Sequence, residues 1–355
     1  MYNNWNKSKL NDQIKLVAKK MYANPSPDII ATLNTLEDLK KNQPKIFPQE
    51  ERFDEQLATD KSLVHDYSNF IPAIEEFAKQ DETFSFKHLN GLTERTLPKK
   101  TLLSFTHDFY NSIDREFAKY FNRIFKERHN NLRITDRNQQ GYSRNYITYL
   151  NTINYAYINI YRTHTIDDFI NIIHEYAHTI ADQMCYRPRY GKYPFIELLP
   201  LLMQEIAYDD LIRCFDDLTG DVINSDIGIT KTVLKYAKEI LLQQQYLSTV
   251  SLQTERKQFV NKFAEYSNNT KAKTEKIMNI TLQEKLSYVI PFLVMVELYD
   301  LYYEDTEKSL YLTKKIITMD EVDDYIKYLD SLGLHLNEHM DDYIMYQKNA
   351  LKLTH

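Results

Sequence analysis

Glycine is scarce in this sequence, with 6 residues in 355, and proline numbers only 10. Few positions can therefore host the positive-φ turns on which hairpin-rich folds depend, which argues for long helices and few strands. Cysteine is almost absent. Cys185 and Cys214 form no CxxC pair and are too few for a disulfide scaffold, so both are expected to be small buried hydrophobes with no redox role. No basic run exceeds two residues, and 44 basic against 50 acidic residues leave a net charge of −6, the opposite of the basic face that a nucleic-acid binder needs. Nor does any stretch reach the roughly 18 to 20 uninterrupted apolar residues of a membrane span. Met1 to Lys20 is polar and charged where a secretory signal would be apolar. The expectation is a cytoplasmic protein with neither nucleic acid nor membrane as partner.

Aromatic residues are plentiful. With 28 tyrosines, 17 phenylalanines and a hydrophobic fraction of 43%, the chain can bury a sizeable core. Apolar periodicity predicts helices over Gln13–Tyr22, Ile29–Lys41, Glu50–Gln80 and Thr101–Lys126, separated by proline- and asparagine-rich breaks. The pattern then changes: Tyr146–Leu150 and Ile153–Tyr161 read as strands. In the second, Tyr155, Tyr157, Asn159 and Tyr161 share one face while Ala156, Ile158 and Ile160 share the other. Helices return from Thr165 to the end, with a polar interruption at Ser267–Ala272. The division expected is a helical region over 1–130 and a catalytic region over 131–355.

One constellation carries chemistry. Thr165 and Asp168 have the spacing of a helix-start pair, and the helix they open contains His174-Glu175-Tyr176-Ala177-His178. Two histidines four apart lie only about 40° apart around a helix, so both imidazoles can reach one metal ion. Glu175, about 100° round from His174, can act as a base without being a ligand. Both histidines fall on the seam between the apolar arc of the helix and its polar arc, where a cleft would open. A catalytic zinc site usually has three protein ligands. Glu197, nineteen positions beyond His178 on the next predicted helix, is the favoured third ligand, with Glu205 the other candidate. If Glu205 is not the ligand, it suits a supporting role, accepting from a ligand imidazole. Two neutral imidazoles and a carboxylate leave a site with one zinc ion per chain positively charged; the same donors also suit iron or cobalt.

Further segments surround this constellation: Gly141-Tyr142, the run Tyr155–Tyr161, Thr163–Phe169 before the histidines, Tyr193–Pro200 with Glu205, then Leu286–Phe292, Asp324–Gly333 and Leu336–Tyr343. In that order, from about Arg133 to Tyr343, they resemble the thimet oligopeptidase and oligopeptidase F family of zinc peptidases, in a shorter and divergent form. The resemblance implies a mainly α, zincin-type fold with a small β-region forming one wall of a cleft. It implies His174, His178 and Glu197 as metal ligands, Glu175 as general base, and Tyr288 as the residue stabilising the oxyanion, although Tyr299, Tyr302 and Tyr303 share its predicted helix. It also implies that the strand bearing Tyr155, Tyr157 and Asn159 is an edge strand that binds an extended peptide. Three features depart from the family: a shorter interval between His178 and Glu197, Pro200 displaced by one position, and no histidine between His178 and His335. The function expected is hydrolysis of internal bonds in short unfolded peptides. The alternatives are a zinc aminopeptidase, suggested by the His178–Glu197 interval, and a non-catalytic peptide-binding protein on the same fold.

Overall fold

Where apolar residues recur every three to four positions the chain is helical, and among the described residues one three-stranded sheet interrupts the helices. The computed structural model describes residues 17, 53–83, 92–94, 97–136, 145–150, 155–185, 194–251, 256–267, 270, 274, 277, 280–320 and 322–353. The predicted helices Gln13–Tyr22 and Ile29–Lys41 lie outside these residues apart from Val17, as does Gly141-Tyr142. Among the described residues from Phe53 on, the sheet is preceded by α1 (Phe53–Asp66), α2 (Ile71–Thr83), α3 (Lys99–Ile113) and α4 (Arg115–Phe125), followed by the single turn α5 (Arg128–Asn131). The expected helix Glu50–Gln80 is thus two helices, broken at Tyr67 and the short 3-10 turn Ser68–Phe70, just before Pro72, which lacks the N–H that would continue a ladder. Thr101–Lys126 also divides, because Asp114 adopts an extended conformation and its carboxylate accepts the N–H groups of Glu116 and Phe117, capping a new helix.

The strands are β1 (Leu132–Asp136), β2 (Tyr146–Leu150) and β3 (Tyr155–Arg162), in the order β1-β3-β2. β2 matches its predicted bounds; β1 was not anticipated. β3 is a central strand and not an edge: Ile158–Arg162 run parallel to β1 and Tyr155–Asn159 antiparallel to β2. Where β2 has ended, the Tyr161 N–H donates to the Asn145 side chain at 2.7 Å. Among the described residues one flank of β3 is taken by β1 along Ile158–Arg162 and the other by β2 along Tyr155–Asn159, so β3 offers no continuous free edge, and the outer edges of the sheet belong to β1 and β2. The reason is β1, a five-residue strand with a buried Ile134 that takes the Ile158–Arg162 part of the flank the resemblance left open.

After the sheet come α6 (Asp167–Met184), α7 (Leu198–Cys214), α8 (Thr219–Leu247), α9 (Arg256–Tyr266), α10 (Leu282–Glu304), α11 (Thr306–Ile317), α12 (Tyr325–Ser331) and α13 (Met340–Leu353). One core cluster runs from Leu57 of α1 to Ile344 of α13. Its axis is α10, which has the length and hydropathy to cross a membrane but is a core helix, with Val289, Ile290, Phe292, Leu293 and Met295 all fully buried. α6 is held from behind by aromatic rings of α3 and α4. Tyr176 meets Phe121 at 5.0 Å, Phe121 meets Tyr110 at 4.7 Å, and the Tyr110 hydroxyl donates to the carbonyl of Ile173 at 2.5 Å. The helices before the sheet thus fix the position of the helix that carries the histidines. The cysteines depart from expectation. Cys214, the last residue of α7, is exposed, and Cys185 is half-buried with its thiol donating to the Ile317 carbonyl at 2.9 Å.

Candidate metal centre

The start of α6 is built by the predicted pair, one residue out of register. The Thr165 hydroxyl accepts the Asp167 N–H at 3.3 Å, while the Asp168 carboxylate reaches back to the Thr163 N–H at 2.7 Å and to Arg162 Nε at 3.1 Å. Asp168 is fully buried, so the Arg162 guanidinium is its compensating charge. Two turns later His174 and His178 emerge with ring centroids 4.9 Å apart. α7 begins immediately after Glu197, which occupies its N-cap position. A carboxylate there sits at the positive end of the helix dipole and projects from the helix start toward α6.

His174, His178 and Glu197 come together: each offers one donor atom, and all three lie within 4.8 Å of one another. Glu197 Oε2 lies 3.2 Å from Nε2 of His174 and 3.2 Å from Nε2 of His178. Yet among the described residues no hydrogen-bond donor is aligned on this buried oxygen. Two ring nitrogens and an orphaned carboxylate oxygen facing one point fit a divalent cation better than they fit one another. The donor side chains are 12–16% exposed, so the point they share is not sealed from solvent. Burial favours a neutral His178 ring, but Glu197, then Glu175 and Asp182, outweigh it and raise the imidazole to about 9. Burial likewise opposes ionisation of Glu197, and His178 and His174 nonetheless hold its carboxyl well below the usual range. Among the described residues Glu297, Glu338 and His339 form a second donor group.

Glu175 is buried beside this point, its charge acting on both His178 and Tyr288. Tyr288 of α10 faces the same place. The Glu197 carboxylate is the largest influence raising its hydroxyl well above the ordinary tyrosine value, followed by burial and Glu175, so the phenol keeps its proton. The other tyrosines of α10 point elsewhere: Tyr299 and Tyr303 both donate to the Asp209 carboxylate, Tyr299 at 2.8 Å. Asp209 lies twelve residues along α7 from Glu197, about 18 Å at the helical rise. Asn159 is 3% exposed, with neither side-chain amide atom partnered among the described residues; Tyr155 and Tyr157 contribute backbone to β3.

The supporting residue differs from expectation. His174 Nδ1 meets Gln204 Oε1 at 3.3 Å, and Glu205 turns instead toward Asp226 and Tyr343. Helical geometry explains the difference: seven residues from Glu197 fall within about 20° of two full turns, whereas eight overshoot by about 80°. Counting turns more closely in the sequence would have found Gln204. Burial, and next the Asp226 charge, raise Glu205 well above the usual carboxylate range, while burial lifts Asp226 to about 7.

No protein-family model matches this sequence, and no curated protein matches it significantly. Solved structures do match in fold. They include PZ peptidase A with an inhibitor (TM-score 0.55, 10% identity, 92% of this chain and 63% of that one). A protein described as an oligoendopeptidase F from Bacillus anthracis strain Ames matches with a TM-score of 0.54 and 12% identity, over 91% of this chain and 60% of that one. A protein described as a peptidase from Chlamydophila abortus matches at 0.51 and 10%, over 98% and 62%. The mainly helical fold is therefore that of oligoendopeptidase-type peptidases, and the chain spans about three fifths of the length of these structures.

Proposed function

We propose that this protein is a zinc-dependent peptidase that hydrolyses internal bonds of short unfolded peptides in the cytoplasm. The observation that supports this most is the meeting of His174, His178 and Glu197 around one orphaned carboxylate oxygen, with Glu175 and Tyr288 at the same point. A zinc ion held by those three side chains would supply a Lewis acid for the scissile carbonyl and lower the pKa of a water molecule. Glu175 takes the proton from the attacking water and returns it to the leaving amine. Tyr288, protonated at neutral pH, donates its hydroxyl to the oxyanion that develops on the carbonyl. An extended peptide pairs with the outer edge of β2, the antiparallel strand packed against α6, by adding one strand to the sheet.

The aminopeptidase reading rests on the His178–Glu197 interval, and the two differ in a direct assay. Zinc-loaded protein should cleave peptides with blocked N-termini within the chain, and Glu175→Gln should retain zinc while losing turnover. Release of single residues from free N-termini only would establish the aminopeptidase reading. Full zinc occupancy without hydrolysis of any peptide in a library would leave a binding protein.

A further inference from the structure

The side chain behind His174 is an amide, and an amide has two chemically different ends. Either end could face the ring: Oε1 would accept a proton from Nδ1, whereas Nε2 would donate one, pushing the ring proton onto Nε2 and blocking it as a ligand. A relay of hydrogen bonds decides between them. Gln204 Nε2 lies 3.3 Å from the Tyr208 hydroxyl, which lies 2.9 Å from Ser225 Oγ, and Ser225 Oγ lies 2.5 Å from Asp167 Oδ1 at the start of α6. Gln204 and Tyr208 are each 3% exposed, so water does not substitute for these partners.

Each hydroxyl carries one proton, which gives the relay a direction. The Asp167 carboxylate accepts from Ser225, leaving Ser225 Oγ to accept from Tyr208. Tyr208 has then spent its proton and accepts from Gln204 Nε2, which turns Oε1 toward His174. His174 must therefore carry its proton on Nδ1 and present the lone pair of Nε2 to the point shared with Glu197. Burial, and then the Asp167 charge, raise the Tyr208 hydroxyl well above its ordinary value, so it remains a donor.

We infer that Asp167, Ser225 and Tyr208 are positioning residues that set the tautomer of His174 through Gln204, and so govern metal affinity without touching metal or substrate. This rests on the reading of His174 as a metal ligand.

The test combines zinc affinity, measured by chelator competition, with the His174 tautomer in metal-free protein, measured by nitrogen-15 NMR where the ring is neutral. Tyr208→Phe removes the middle hydroxyl, and zinc affinity should fall about 10- to 100-fold with loss of the pure Nδ1–H form. Ser225→Ala should act in the same direction and replaces Tyr208→Phe should that variant fail to fold. Gln204→Glu provides the rescue: a carboxylate accepts through either oxygen and needs no orienting, so in its presence Tyr208→Phe should cost less than twofold. A merely structural tyrosine would destabilise both backgrounds alike. Zinc affinity within twofold of wild type together with an unchanged tautomer in Tyr208→Phe or Ser225→Ala would overturn the relay, as would equal losses in both backgrounds. His174→Ala separates the premise: retention of zinc at wild-type affinity in that variant would remove the ligand reading itself.

Discussion

His174, His178 and Glu197 form one cluster of metal-type donors on α6 and α7, and Glu297, Glu338 and His339 form another between α10 and the start of α13. Their compositions are alike, two of one kind and one of the other, but their contacts differ. In the second cluster His339 Nδ1 lies 2.7 Å from Glu297 Oε2 and Nε2 lies 3.5 Å from Asp300, so one ring is clamped between carboxylates as an ion pair. The Glu297 hydrogen bond accordingly raises the His339 imidazole. In the first, two rings point at one oxygen that no donor meets squarely, and the far nitrogen of His174 is engaged by a buried amide. Donor type alone does not make a site. Convergence and support behind the donors distinguish the two.

The sharpest way to break this contrast is to remove donors from each side. His174→Ala and Glu197→Ala should each abolish stoichiometric zinc binding and all peptide hydrolysis, read by metal analysis and turnover. Glu175→Gln should keep one zinc per chain and lose about 10²- to 10⁴-fold in kcat, since it removes only proton transfer. Tyr288→Phe should lose about 10²- to 10³-fold in kcat with KM little changed, which tests whether the phenol acts on the oxyanion and not on the ground state. His339→Ala should leave zinc stoichiometry and kcat within twofold, because both nitrogens of that ring are engaged by carboxylates.

A smaller effect concerns the buried acids Glu205 of α7 and Asp226 of α8. Asp226, raised to about 7 by burial although Gln347 donates to it at 2.6 Å, holds a proton that the unfolded chain would release near the ordinary carboxylate value of 3.8. Its contribution to stability is therefore full below about 3.8 and is lost as pH rises through 7. Denaturant unfolding followed from pH 4 to 8 should show stability falling in that window, and Asp226→Asn should flatten the fall. A steeper fall in the variant would contradict the assignment.

Much of the first cluster was legible in the sequence because it depends on local spacing: four residues within one helix place His174 beside His178, and the apolar arc of α6 fixes the side on which they emerge. Glu197 was reachable because the next helix begins beside it. What escaped depended on longer geometry. The β1 strand is five residues with only Ile134 buried in its middle, too short for alternation to reveal, and its parallel pairing made β3 central. Gln204 escaped because an acid one position on, Glu205, drew attention away from the residue that the helical repeat brings back to the same face. Ser225, 58 residues from Asp167 in sequence, lies beside it only in the folded chain.

The most direct test of the account is a crystal structure of the zinc-loaded protein with anomalous data collected at the zinc edge. The account predicts one strong peak per chain, bonded to Nε2 of His174, Nε2 of His178 and the Glu197 carboxylate, with none at His339. A peak at Glu297 and His339, or Glu205 in place of Glu197 around the ion, would contradict it.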